Sequence, residues 1–237
     1  PALAGAETLH VAVTASFKTA MERLKPQFTQ QSGHTLRISA ASSGTLYAQI
    51  QNGAPYQLFL AADDHYPQQL IQAGLAVPGS RFLYALGRLV LFSPQAERLQ
   101  AGANALSNGQ LRRIALANPQ TAPYGRAAKE VLTALNLWHD WSGRLAYGEN
   151  VGQSLAFVQS GAVDAGFVAH SQLLTAEGTP LPGAFWEPPP HLYRPLRHEG
   201  VRLTRGEGQE AVTQLIAFLT SAPTQATLVA LGFGAVP

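Results

Sequence analysis

The chain has no cysteine among its 237 residues. This excludes disulfides, cysteine-ligated metal centres and cysteine nucleophiles together. Charged residues make up only 13% of the chain, whereas 46% of it is hydrophobic, which argues against disorder. The formal net charge is +2, but the lysines and arginines are scattered and form no basic stripe. We therefore expect no nucleic acid partner.

Long hydrophobic runs are also lacking, and none approaches the ~20 residues that a membrane-spanning helix needs. The opening residues, Pro1-Ala-Leu-Ala-Gly-Ala6-Glu7, have the small side chains of the region around a signal-peptidase site, without the hydrophobic part that precedes it. We expect an exported, periplasmic protein whose signal peptide is absent from this chain. On composition alone a cytosolic protein fits as well.

Strand-like and helix-like segments alternate along the chain. This alternation predicts an α/β fold with mostly parallel or mixed sheets flanked by helices. Two segments, 82–93 with a central Gly87 and 192–196, are predicted to cross between two lobes. Lobe I would comprise residues 1–85 and 195–237, and an inserted lobe II residues 86–194. Pro26 is expected to kink or end the first helix, and Gly33 to close that segment.

Four turns lead from a predicted strand into a predicted helix. They contain Ser16, the pair Ser42 and Ser43, Tyr124, and the pair Asn150 and Val151. We expect Ser16 and Ser42 to cap the helices that follow them. A helix start leaves N–H groups unpaired and carries partial positive charge, so it favours anions. If the two lobes face each other, four helix starts would converge on one cleft and suit a compact anion with many acceptor oxygens.

The first three of these turns contain no lysine or arginine, and Arg126 is the nearest cation, just inside the third helix. We therefore expect neutral donors to hold the anion.

One acidic stretch, Asp63-Asp64-His65, invites a metal or acid–base interpretation. Adjacent residues of an extended segment point to opposite faces, so helix capping after a strand is favoured instead. No turn offers a Ser–His–Asp set, Gly-x-Ser-x-Gly is absent, and no His-x₃-His pair occurs. The sequence thus predicts a binding protein without a cofactor, and not an enzyme.

A set of motifs, in order along essentially the whole chain, resembles the periplasmic molybdate-binding proteins of bacterial ABC importers (the ModA type). The motifs are Thr14–Phe17, Ser42–Pro55 followed by Leu58–Asp63, Asn118–Gly125, Asn150–Gln153, Gly161 and Asp164–Val168. Each motif is short, and the ordered set carries the resemblance.

The resemblance implies a type II periplasmic binding protein, a monomer, that closes on molybdate or tungstate and delivers it to a membrane permease. Molybdenum or tungsten would be bound only as the oxyanion, which is a ligand and not a cofactor. The implied contacts are hydroxyl and N–H groups of Ser16 and Ser42, with Ala15 and Ser43 beside them.

In the other lobe the resemblance implies contacts from Tyr124 and the backbone of Val151, with Asn150 next to it. Some family members carry a tyrosine where this chain has Ala169, followed by His170. We expect Tyr124 to supply the hydroxyl that Ala169 lacks.

Four alternatives remain at this point. Sulfate or phosphate could be the anion; phosphate carries a proton at neutral pH, and only Glu149 lies near the turns as an acceptor. A ligand-sensing domain of a transcription regulator would need a DNA-binding helix-turn-helix, which we expect ahead of His10 and do not find there. A larger organic ligand would need a clamping arginine such as Arg126, and an anion-using transferase would need a catalytic base.

Overall fold

A computed structural model of the protein describes residues 5–175 and 178–237. Its strands are β1 Thr8–Thr14, β2 Thr35–Ala41, β3 Leu58–Leu60, β4 Phe82–Gly87, β5 Leu89–Ser93, β6 Ile114–Ala117, β7 Leu145–Gly148, β8 Ala165–Ala169, β9 Ala184–Trp186 and β10 Leu196–Arg202. Its α-helices are α1 Lys18–Ser32, α2 Ser43–Gln51, α3 His65–Gln72, α4 Pro123–Ala134, α5 Trp138–Trp141, α6 Val151–Gln159, α7 Glu210–Thr220 and α8 Ala222–Ala230.

The chain divides into two compact units. Unit 1 comprises Pro1–Ala85 and Arg197–Pro237, and unit 2 comprises Leu86–Leu196. Each unit contains one five-stranded sheet, in the order β2-β1-β3-β10-β4 in unit 1 and β7-β6-β8-β5-β9 in unit 2. Both sheets are mixed and flanked by helices, which confirms the predicted α/β class.

In unit 1, strand β1 pairs in parallel with β2 and β3, and β10 pairs antiparallel to β3. Alternate residues of β1 belong to two different hydrophobic clusters, one on each face of the sheet, as expected for a strand covered on both faces. Leu9, Val11 and Val13 pack with α1 and α7, while Ala12 packs with α2 and α3. Helix α1 turns one apolar face to the core, since Ala20, Met21, Leu24 and Phe28 are all buried.

In unit 2, β6 pairs in parallel with β7 and β8, and β5 pairs antiparallel to β8 and β9. All five residues of β5 are buried. Trp141 is buried as well, and its Nε1 donates to the Leu106 carbonyl oxygen at 3.1 Å. Trp141 is thus a packing residue.

Pro26 does not end the helix, because α1 continues past it to Ser32. Pro26 is exposed, and so is Glu22, whose carbonyl oxygen lacks the N–H that another residue at position 26 would supply. Leu24 and Phe28 on either side are buried and hold both halves of the helix against the sheet. Gly33 ends the helix with a left-handed φ of 74°, as predicted.

The long β-rich run from residue 82 to residue 93 is two strands, β4 in the sheet of unit 1 and β5 in that of unit 2. The strand predicted over 192–196 is wrong. A 3-10 turn occupies Pro190–Leu192, and β10 begins only at Leu196, directly after Pro195, which has no N–H for a sheet ladder. β10 then ends at Arg202.

Candidate functional site

Three strands of unit 1 end side by side. Thr14 at the end of β1 pairs with Ala41 at the end of β2, and Val13 pairs with Leu60 at the end of β3. These pairings are parallel, so the residues that follow the three strands meet at one edge of the sheet. All four predicted site residues of this unit lie at that edge: Ala15, Ser16, Ser42 and Ser43.

Ser42 caps α2, as the sequence predicts. Its backbone is extended, and its hydroxyl oxygen accepts the Thr45 N–H at 3.3 Å. The Ser42 carbonyl oxygen accepts the Leu46 N–H at 3.0 Å. The cap therefore takes up two of the first four N–H groups and leaves those of Ser43 and Gly44 at the helix start. Ser42 itself is buried, with 3% of its surface exposed.

Ser43 uses its hydroxyl inside unit 1. The hydroxyl donates to Thr14 Oγ1 at 3.3 Å and accepts the Ala62 N–H at 3.0 Å, and the residue is completely buried. It thus joins the ends of β1 and β3 to the start of α2. This leaves the backbone N–H as the group that Ser43 can offer to a ligand.

The prediction that Ser16 caps a helix is wrong. One 3-10 turn, Ala15–Phe17, separates β1 from α1, and Ser16 lies in the middle of it. The residue that precedes α1 is Phe17, which makes no side-chain capping bond. Ser16 is nevertheless buried directly after β1, and Ala15 is half-buried beside it.

The corresponding edge of unit 2 is formed by β6 and β7. Ala117 pairs with Gly148 at the two strand ends, and the Asn118 N–H donates to the Gly148 carbonyl oxygen at 2.7 Å. Helices α4 and α6 begin just beyond these ends. The start of α4 lies so close to β6 that a Cβ on Gly125 would be 2.1 Å from the Ala117 carbonyl oxygen.

Tyr124 is the second residue of α4 and is buried, with 3% of its surface exposed. Pro123 before it occupies the first helical position, which suits the fixed φ of proline. The tyrosine is therefore held between a fixed proline and the close contact of Gly125 with β6. Its backbone position is set by sterics on both sides.

Asn150 caps α6 with its side chain. The Oδ1 atom accepts the N–H groups of Gly152 at 2.9 Å and Gln153 at 3.2 Å, and the Asn150 carbonyl oxygen accepts the Ser154 N–H at 3.2 Å. Of the first four N–H groups of the helix, only that of Val151 is left over by this cap. The Asn150 cap thus leaves the Val151 N–H for a ligand, while Asn150 Oδ1 is used within the helix start.

Two residues of these edges escaped the sequence reasoning. Thr45 Oγ1 lies 2.7 Å from Ser42 Oγ, and the signal that would have found it is a hydroxyl three residues after the cap, where a side chain can reach back to the cap residue. Gln172 accepts the Ala169 N–H at 3.1 Å, and its Nε2 is 3.7 Å from the position of a Cβ on Gly152. It follows β8 without a local motif, so sequence alone gave no signal.

The acidic stretch after β3 supplies a cap. Asp63 Oδ1 accepts the Tyr66 N–H at 3.3 Å, whereas Asp64, next to α3, makes no side-chain capping bond. Within residues 5–175 and 178–237, no group of three or more His, Asp and Glu side chains is placed to hold a metal ion. Over the same residues, no helix is both long and apolar enough to cross a membrane.

The cation nearest to the four turns, Arg126, lines a groove on unit 2 together with Lys129, Glu130 and Thr133 of the same helix. Arg126 stands three residues beyond the first residue of α4. The helix starts themselves therefore present hydroxyl and N–H groups, with helix partial charge as their positive potential.

Comparison with known proteins gives a consistent result. The family model for bacterial extracellular solute-binding proteins matches residues 9–234. The chain is 38% identical to the molybdate-binding protein ModA of Azotobacter vinelandii over 98% of this chain and 91% of that protein, and 36% identical to ModA of Rhodobacter capsulatus over 92% and 84%.

Among solved structures, the periplasmic molybdate-binding protein of Azotobacter vinelandii matches with a TM-score of 0.89 at 37% identity, covering 97% of this chain and all of that one. This likeness confirms the periplasmic-binding-protein fold predicted from the sequence. The chain belongs to the family of bacterial extracellular solute-binding proteins.

Proposed function

We propose that this protein binds molybdate or tungstate in the periplasm and delivers it, as a monomer, to the membrane permease of an ABC importer. One observation carries the proposal. The chain is 38% identical to a molybdate-binding protein over 98% of its length, and its strand-to-helix turns present neutral donors. The protein acts as a binding protein and not as an enzyme, with the oxyanion as cargo.

In unit 1 we assign the hydroxyls of Ser16 and Ser42 as donors to the oxyanion. Both side chains are buried at the edge where three strand ends meet. The Ser43 N–H, at the first position of α2, is a further donor, and the half-buried Ala15 lies beside Ser16. Burial strengthens such donors because water does not compete with the ligand for them.

In unit 2 we assign the Tyr124 hydroxyl and the Val151 N–H. Asn150 contributes indirectly, because its side chain takes up the next two N–H groups and leaves that of Val151 for the anion. A donor fixed by a cap loses little freedom on binding, which supports a rigid, neutral site for a dianion.

The chemistry of the turns favours a fully deprotonated oxyanion. Molybdate, tungstate and sulfate offer only acceptors at neutral pH, whereas phosphate carries a proton that needs an acceptor. Glu149 is exposed and Asp63 already caps α3, so neither is placed as such an acceptor. Sulfate has the same charge and shape as molybdate and is the second candidate.

A paired substitution tests the assignment of Ser42. Ser42→Ala should weaken molybdate binding about 10- to 100-fold, the cost of a lost hydrogen bond to a charged group. Ser107→Ala is the matched control, since Ser107 is exposed and its hydroxyl donates to the Asn104 carbonyl oxygen. Calorimetric titration of both variants, after thermal unfolding has shown intact folding, gives the answer. Equal affinity of the Ser42 variant and wild type would remove Ser42 from the site.

Tyr124→Phe tests the unit 2 donors in the same way. It removes one hydroxyl from a buried side chain, and we expect a loss of affinity in the same range. Tyr56→Phe is its control, because the Tyr56 hydroxyl donates to Gln49 Oε1 at 2.8 Å, at the other end of α2. If Tyr56→Phe weakened binding as much as Tyr124→Phe, the assignment of Tyr124 would fail.

A further inference from the structure

The start of α2 contains a pair of hydroxyls in hydrogen-bond contact. Ser42 Oγ and Thr45 Oγ1 are 2.7 Å apart, and the Thr45 N–H also donates to Ser42 Oγ at 3.3 Å. Thr45 is the third residue of the helix and is exposed, whereas Ser42 is buried. One residue thus approaches the Ser42 hydroxyl with both its backbone and its side chain.

Hydrogen-bond counting gives this pair two possible proton arrangements. A serine hydroxyl has one donor and two acceptor sites. If the Thr45 hydroxyl donates, both acceptor sites of Ser42 are filled by Thr45, and the Ser42 proton must point elsewhere. If Ser42 donates to Thr45 instead, no Ser42 proton remains for another acceptor.

An oxyanion without a proton is an acceptor only, so it selects the first arrangement. We propose that Thr45 is a positioning residue that directs the Ser42 proton toward the bound oxyanion. This inference rests on the proposed function, in which Ser42 donates to the anion. Thr45 itself does not contact the anion in this account.

The capping of α2 does not require the threonine side chain. The cap uses the Thr45 backbone N–H, which any residue other than proline supplies. The side chain is exposed and belongs to neither hydrophobic cluster of unit 1. Replacement of the hydroxyl by a methyl group therefore leaves the cap and the packing of α2 unchanged.

The test is calorimetric titration with molybdate of wild type, Thr45→Val, Thr45→Ala and Thr45→Ser. Valine keeps the shape without the hydroxyl, and serine keeps the hydroxyl without the methyl group. We expect about fivefold weaker binding for Val and Ala, within the range for coupled neighbours, and about wild-type binding for Ser. Unfolding midpoints by circular dichroism should stay close to wild type for all three.

A double variant separates this inference from the proposed function. In the Ser42→Ala background, Thr45→Val should have no further effect on affinity, because no Ser42 proton is left to direct. Wild-type affinity in both Thr45→Val and Thr45→Ala, with Ser42→Ala weakened, overturns the role of Thr45 alone. An equal loss from Thr45→Val with and without the Ser42 hydroxyl also overturns it. Unchanged binding by Ser42→Ala overturns the assignment of Ser42, and this inference with it.

Discussion

His198 lies on β10 with none of its surface exposed. Its ring meets the rings of Tyr84 and Phe233 edge-on, with centroids 5.7 Å apart in each case. Burial lowers the pKa of His198 from its ordinary value of 6.5 to about 3. The folded protein therefore keeps this imidazole neutral over the whole range in which a free histidine takes up a proton.

The sign of the resulting pH dependence follows from the unfolded chain. As the pH falls through 6.5, the unfolded state gains a proton at His198 and the folded state does not, so stability is full above this pH and is lost below it. One pKa unit corresponds to about 1.4 kcal/mol. Between pH 7.5 and pH 4.5, this residue should lower the free energy of unfolding by roughly 2.5 kcal/mol.

Urea unfolding by circular dichroism over that pH range measures the effect. His198→Gln should reduce stability at pH 7.5 through altered packing. When the pH is lowered from 7.5 to 4.5, however, the free energy of unfolding of this variant should fall by roughly 2.5 kcal/mol less than that of wild type. His65→Gln replaces an exposed histidine of the same unit by the same residue and is the matched control for the substitution. Parallel pH curves for wild type and His198→Gln would refute the reasoning.

Two further substitutions, each with a matched control, test a close backbone contact in unit 2 and a buried ion pair in unit 1. Gly125→Ala places a Cβ 2.1 Å from a carbonyl oxygen of β6 and should cost about 3 kcal/mol or more in thermal or urea unfolding, whereas Gly143→Ala meets no atom within 4 Å and should change little. Equal stability of the two variants would contradict this close contact. Glu199→Gln removes a charge that is 7% exposed and bonded by Arg81 at 2.8 and 2.5 Å, so we expect a loss of about 2 kcal/mol. Glu22→Gln, in an exposed ion pair, should cost less than about 0.5 kcal/mol, and a similar loss in both would contradict the burial argument.

The helix caps were readable from the sequence because their chemistry is local. Ser42 and Asn150 bond to N–H groups only two or three residues ahead of them, so residue type and spacing decide the outcome. Ser16 has the same residue type and also follows a strand. It fails as a cap because the backbone makes a 3-10 turn before α1, which apolar spacing does not reveal.

The burial of the polar residues at the start of β10 was not predicted, because it depends on residues that are distant in the sequence. His198 and Glu199 look like loop residues, yet both are buried. What allows Glu199 to be buried is Arg81, which is 118 positions away in the chain. The role of Ser43 likewise depends on Ala62, in a different turn. Partners of this kind are fixed by tertiary structure, so periodicity and composition cannot identify them.

The measurement that tests the central claim most directly is a calorimetric titration of the purified, ligand-stripped protein with molybdate, tungstate, sulfate and phosphate in turn. We predict tight one-to-one binding of molybdate and tungstate. We predict no heat from phosphate, since Glu149 is exposed and Asp63 caps α3, so neither carboxylate is placed to accept the phosphate proton. Tight binding of sulfate, with no heat from molybdate, would be consistent with an oxyanion site but would contradict the molybdate assignment. Silence from all four anions would contradict the account as a whole.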